Sequence, residues 1–159
     1  MKKHLQSVIF ISIIMLLFSS CSSHNNDSTE KLKRSEYIAI NNLDGVTMEV
    51  DEQTISPTSL TVIFNNGSDK ECIYGDPFVL EKLVDDEWYE GSIILEDGYG
   101  FNDIGYELPS NSTSEWEVDW EWLYGKLDVG DYRIIKEVLD FRKPGDYDEY
   151  YLAARFTIN

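Results

Sequence analysis

Glu115-Trp116-Glu117-Val118-Asp119-Trp120-Glu121 alternates acids with apolar residues at every position. A period of two separates odd from even side chains onto the two faces of an extended strand, and a helix does not reproduce that separation. The stretch is predicted as a strand that turns Trp116, Val118 and Trp120 to a core and Glu115, Glu117, Asp119 and Glu121 to water. Its acids then lie about 6–7 Å apart along one face.

The same period recurs on both sides. Val46, Met48 and Val50 share a face, and Leu60, Val62 and Phe64 repeat the pattern before the loop-forming run Asn65-Asn66-Gly67-Ser68-Asp69. Phe78 to Val84 and Trp88-Tyr89 flank Asp85-Asp86-Glu87 as a hairpin. Tyr132 to Leu139 and Tyr150 to Ile158 add two strands around the turn Arg142-Lys143-Pro144-Gly145-Asp146. About seven short strands with no amphipathic helix of useful length predict an all-β antiparallel sandwich. Leu127-Asp128-Val129-Gly130-Asp131-Tyr132 points the same way, because a tyrosine placed there can return its hydroxyl to the backbone upstream, the tyrosine corner of Greek-key sandwiches. Trp88 is the tryptophan expected to pack across the sheets.

Met1-Lys2-Lys3-His4 is a basic start, and Val8 to Phe18 is an apolar run broken by Ser12. The run is about half the ~20 residues a membrane span needs, so residues 1–20 read as an export signal. Leu17-Phe18-Ser19-Ser20-Cys21 resembles the lipobox of bacterial lipoproteins, which implies a diacylglyceryl group on Cys21 and an attachment to the cell membrane on its extracytoplasmic face. Residues 21–35 then form the lipidated cysteine and a polar tether, roughly 20 Å in r.m.s. span as a coil, and residues 36–159 form the folded domain.

Composition narrows the chemistry. With 13 Lys plus Arg against 30 Asp plus Glu, the chain carries a formal charge of −17 and lacks the basic surface that nucleic-acid binding requires. Both histidines, His4 and His24, precede the predicted domain, which leaves it without imidazole for catalysis or metal ligation. Once Cys21 carries lipid, Cys72 has no disulfide partner and reads as a structural thiol. No catalytic, cofactor or metal residue is assigned, and the chain is expected not to be an enzyme.

Residues from about Val46 to Ile158 resemble the bacterial Ig-like domain of Gram-positive exported lipoproteins. The resemblance rests on Asn65-Asn66, Tyr74-Gly75 with Phe78 and Glu81-Lys82, Trp88, and Leu123-Tyr124-Gly125 with Leu127 and Gly130. It continues through Tyr132-Arg133-Ile134 with Lys136 and Tyr151-Leu152-Ala153-Ala154 with Phe156. Val129 departs from it, standing where such domains commonly carry proline. The resemblance implies an Ig-like Greek-key sandwich and an extracytoplasmic setting, and it transfers no catalytic residue.

Between Lys82 and Lys126 there are 12 acids and nine aromatics but no base, so that region holds the candidate surface. Glu96, Asp97, Tyr99, Phe101, Asp103, Tyr106, Glu115, Glu117, Asp119 and Glu121 form it. Three readings stand: a solvated acidic face, a surface for a cationic protein or peptide, and a weak calcium site using Asp97 with Asp103 or Asp146 with Asp148 and Glu149. A carboxylate-based glycan hydrolase drawing on Glu90, Glu96 and Glu107 is the remaining alternative.

Overall fold

Each alternating run forms a strand whose apolar set is buried or partly buried. The computed structural model describes residues 32–159, and the signal segment, Cys21 and the tether up to residue 31 lie outside the described residues. The elements are β1 (Val46–Val50), β2 (Ser59–Asn66), β3 (Cys72–Val84), β4 (Glu87–Glu90), β5 (Gly105–Leu108), β6 (Ser112–Asp119), the one-turn helix α1 (Glu121–Tyr124), β7 (Gly130–Lys143) and β8 (Asp146–Ile158). Among the described residues no helix is long and apolar enough to cross a membrane.

Two antiparallel sheets form the sandwich. One runs β1-β2-β6; the other runs β4-β3-β7-β8, with β5 also paired to β3. Strands distant in sequence are neighbours, β2 with β6 and β3 with β7, as in an Ig-like Greek key. In Ig lettering the first sheet corresponds to A-B-E and β3, β7 and β8 to C, F and G. There are eight strands rather than about seven. The additional one is β5, whose four residues are too few for an alternation to show.

The inner faces supply the core: Leu60, Val62 and Phe64 from β2, Leu80 from β3, Ile134 and Val138 from β7, and Leu152 from β8 are essentially inaccessible. Trp120 joins them, packing 5.6 Å from the Phe156 ring while its indole N–H donates to the Pro57 carbonyl at 3.1 Å. Trp120 and the partly buried Trp116, and not Trp88, are therefore the tryptophans between the sheets. Trp88 sits on β4 opposite Leu83, on the outer face, where the Arg133 and Arg155 guanidiniums stand 4.5 and 5.3 Å from its ring. The pairing register sets it there: Leu83 is two residues along β3 from the outward Glu81, so Trp88 opposite it shares the outward phase, and Tyr89 opposite Lys82 takes the inward one. Asp85 and Asp86 make the turn between β3 and β4, both at positive φ (50° and 64°), as a tight hairpin requires.

Two further boundaries differ from the sequence reading. Strand β6 ends at Asp119, and Glu121 opens α1 instead of continuing the acidic face. Asn66 belongs to β2 and not to a loop: it is buried, its Nδ2 donates to the carbonyls of Lys70, Leu108 and Pro109, and its Oδ1 accepts from Ser68.

Residues 33–41 cross the outer face of the five-stranded sheet. They begin alongside β4, where Ser35 N donates to Trp88 O and Glu90 N donates to Lys33 O at 2.9 and 2.8 Å. Lys33 pairs there with Glu90 and Glu36, and Arg34 with Glu87. They finish at β8, where Asn41 N donates to Tyr151 O and the Asn41 amide exchanges two hydrogen bonds with the Ala153 backbone. Beneath this strap lies the buried Arg133–Glu81 pair at 2.6 Å, with Arg133 Nη2 donating to Ser35 Oγ at 3.1 Å. The packing thus takes in Lys33 to Ser35, ahead of Glu36.

The tyrosine corner forms: Tyr132 Oη donates to the Asp128 carbonyl at 2.9 Å, and the ring stacks on Phe156. Tyr132→Phe removes that bond and keeps the ring, so it is expected to lower unfolding free energy by about 1 kcal/mol in urea titrations. An unchanged midpoint would mean that the corner contributes no stability.

Candidate functional site

The site begins with a break in β3. Tyr74 pairs with Val138 of β7, but the next paired residue is Phe78 with Lys136, so Gly75, Asp76 and Pro77 stand opposite Glu137 alone. Proline has no N–H to give the ladder, which suits a bulged position. Before the break β3 also pairs with β5, and after it with β4. The connection 91–104 fills the interval between those two short strands.

The bulge presents both polar ends of Asp76. Its carboxylate accepts from Tyr106 Oη at 2.8 Å and Asn102 Nδ2 at 2.9 Å, which ties the connection to β3. The hydrogen bond from Tyr106 holds that phenol above the ordinary tyrosine range. The Asp76 carbonyl accepts from Lys136 Nζ at 3.0 Å. Lys136 occupies an inward position of β7, in phase with Tyr132, Ile134 and Val138, and is fully buried. Its ammonium lies 3.6 Å from the Trp116 ring centroid and 5.7 Å from that of Tyr74. Burial pushes its pKa down to about 7, with the Asp76 carboxylate opposing the shift.

Above Lys136 the aromatics assemble. Phe78 meets Phe101 and Trp116 edge-on at 5.5 and 5.8 Å, Phe101 meets Trp122 at 5.7 Å, and Tyr99 meets Phe101 and Trp122 at 5.8 and 6.4 Å. Tyr99 is 47% and Trp122 42% exposed, so the cluster opens to solvent instead of being sealed core. Trp122 is held by its indole N–H donating to the Asp119 carbonyl at 3.0 Å. A groove of about 330 Å³ lies among Asp76, Phe78, Phe101, Tyr106, Trp116 and Trp122, with Glu117 and Asp119 on its β6 side.

Of the ten residues read from sequence as the candidate surface, Phe101, Tyr106, Glu117 and Asp119 line this groove, and Tyr99 joins through ring contacts. Glu96 and Asp97 are exposed in the connection 91–104, Glu115 is exposed on β6 beyond the groove, and Glu121 is exposed on α1. Asp103 borders a separate hollow with Ile73, Pro77 and Leu139. Phe78, Trp116, Trp122 and Lys136 complete the site and were not on that list. Lys136 was legible as a cation in phase with the apolar set of its strand, and Trp122 as the point where the alternation of β6 breaks.

The other chemistry offered by the sequence fits less well. Asp146 and Asp148 both accept from Arg142, at 2.8 and 3.0 Å, which occupies the carboxylates a cation would need. Among the described residues no three His, Cys, Asp or Glu side chains gather as metal ligands would. Glu90 is held by Lys33, while Glu107 lies on β5 and Glu96 in the connection, so the three carboxylates considered for glycan hydrolysis sit on separate elements. Cys72 is buried, and burial raises its thiol to about 11, so it carries little thiolate at neutral pH.

A family model described as "Bacterial Ig-like domain" matches residues 42–157, from before β1 to all but the last residue of β8. No curated protein matches the chain.

Lys136 generates a stability test. Folding lowers its pKa from 10.5 to about 7, so between those values the unfolded chain binds the extra proton, and stability rises with pH across that window. Below about pH 7 both states are protonated and the full penalty applies. Lys136→Met is expected to stabilise the fold by roughly 1–3 kcal/mol at pH 7 and to flatten the rise between pH 7 and 10 in urea midpoints. A variant that keeps the wild-type pH slope would reassign the titration to another group.

Proposed function

Because the chain belongs to the bacterial Ig-like domain family, we propose that it is a binding module on the extracytoplasmic face of the cell membrane, attached there by lipid on Cys21, whose aromatic groove and acidic rim take a cationic protein or peptide. Bacterial Ig-like domains are in general surface or structural modules and not enzymes. The observation that carries the reading is the solvent-open cluster of Tyr99, Phe101 and Trp122 beside Glu117 and Asp119, in a region with no base between Lys82 and Lys126.

Ring faces attract ammonium and guanidinium groups, by about 0.5–2 kcal/mol each. Carboxylates around the groove raise the rate of encounter with a positive partner and repel a negative one. The lipid would keep the domain close to the membrane, and the removal of Lys2 and Lys3 with the signal segment would leave 11 basic against 30 acidic residues. Steering is therefore set by the whole surface and not by the groove alone.

Two measurements check the reading. Cys21→Ala is expected to abolish incorporation of labelled fatty acid into the protein; undiminished labelling would remove the anchor. Trp122→Ala and Tyr99→Ala, both at exposed rings, are expected to weaken binding of a lysine-rich probe peptide about tenfold each. Raising salt from about 0.1 to 0.5 M should slow association without changing the fold. Affinities indifferent to both substitutions and to salt would leave the groove without a binding role.

A further inference from the structure

The three-stranded sheet stops at β6. In a constant-type Ig sandwich a fourth strand lies beside that position. Here β5, the strand that precedes β6, pairs with β3 in the other sheet, so among the described residues β6 is bonded to β2 on one side and to no strand on the other. The aromatic groove follows that open side. Its lining takes Trp116, Glu117, Val118 and Asp119 in succession. Consecutive side chains on a strand point to opposite faces, so a hollow that touches all four lies against the backbone edge itself.

We propose that this edge accepts an extended segment of a partner protein as an added strand, one that carries cationic residues at alternate positions and apolar residues between them. The inference rests on the binding-module reading above and gives it a geometry. A strand laid beside β6 sets every second side chain opposite Glu115 or Glu117, where opposite charges across a strand pair attract, and it stops short of Asp119, whose carbonyl accepts from Trp122. The outer face of this sheet offers those acids no base: β1 and β2 contribute Thr47, Glu49, Ser59, Thr61, Ile63 and Asn65. Among the described residues neither Glu115 nor Glu117 takes part in an ion pair. The intervening side chains turn toward Trp116 and the facing wall of Phe101 and Trp122, which suits apolar groups.

Charge selects this occupant over the alternatives. A second copy pairing through the same edge would set acids against acids, which is unfavourable. The basic pair Lys33-Arg34 of the chain is already engaged by Glu90 and Glu87 beside β4. Main-chain hydrogen bonds would supply the affinity and the alternating pockets the selectivity, as in other cases of strand addition.

Backbone N-methylation separates edge pairing from charge attraction, because only alternate N–H groups of an added strand point at its neighbour. The intact chain in detergent is titrated with an eight-residue Lys-Val alternating peptide, with the same peptide N-methylated in each of the two alternate phases, and with a block peptide of four lysines and four valines. The unmodified alternating peptide is expected to bind at least tenfold tighter than the block peptide. One N-methyl phase should lose at least tenfold and the other stay within about threefold, while amide exchange along Ser112–Asp119 slows in the complex. Glu117→Lys, a change at an exposed residue, should weaken the alternating peptide at least tenfold. Equal effects of the two phases, both strong or both weak, overturn strand addition while leaving the cationic-partner reading in place. Absence of binding by every lysine peptide overturns both.

Discussion

The interruption of β3 at Gly75-Asp76-Pro77 governs much of the rest of the molecule. A thirteen-residue strand held in one register would carry a single neighbour along its outer edge, and its carbonyls would be spent in the ladder. The three-residue break instead hands that edge from β5 to β4 and frees the Asp76 carbonyl for Lys136. The turn is tight: a Cβ on Gly75 would meet Pro77 Cδ at 3.1 Å. Without a carbonyl and two ring faces, an ammonium buried between sheets would have nothing to offset its lost hydration. Lys136 from β7, Asp76 from β3 and Trp116 from β6 therefore fasten the two sheets to each other at one point. Asp76 and Trp116 of that contact also line the groove.

The outer face of the five-stranded sheet is built on a second charged contact. Arg133 and Glu81 face each other across β7 and β3, both nearly inaccessible, and Glu81 Oε1 is the buried side-chain oxygen left without a partner among the described residues. Such a pair recovers its desolvation only when its remaining hydrogen bonds are met. Ser35 and the Tyr37 carbonyl meet those of Arg133, and Trp88 covers its guanidinium. The same sandwich thus keeps one cation in its core and another on its outer face, each covered by a tryptophan. Trp116 and Trp88 lie on strands of different sheets, while both cations are on β7 and the oxygens they meet, of Asp76 and Glu81, are on β3.

The architecture was legible wherever the alternation ran for five residues or more. Val46 to Val50, Leu60 to Phe64 and the acidic strand all turn to the core the face their period indicates, with Val50 and Trp116 partly buried, and the Tyr132 hydroxyl reaches the carbonyl its motif implies. What stayed hidden depends on neighbours distant in sequence. Trp88 and Trp120 both sit in strand-like surroundings; only the pairing of β4 at the sheet edge sends one outward and leaves the other to the core. The four residues of β5 are too short to carry a period. The groove was half legible, through its loop aromatics and the acids of β6, because Phe78, Trp116 and Trp122 come together only when the bulge and α1 are in place. Arg142 neutralises Asp146 and Asp148 through a hairpin whose register the sequence does not display.

The strap also defines a path for mechanical load. A pull applied at Leu32 reaches first the two backbone hydrogen bonds beside β4, then the Arg133 contacts at Ser35 and Tyr37, then the three bonds of Asn41 at β8, and only afterwards β1 and the core. Bonds met one after another in this way yield at lower force than a ladder sheared all at once. The first extension therefore comes from lifting residues 33–41 off the sheet, which admits water to the Glu81–Arg133 pair while β2, β3 and β7 remain packed. The strap is a compliant element in series with a stiff body: both carry the same tension, and the extension is concentrated in the strap.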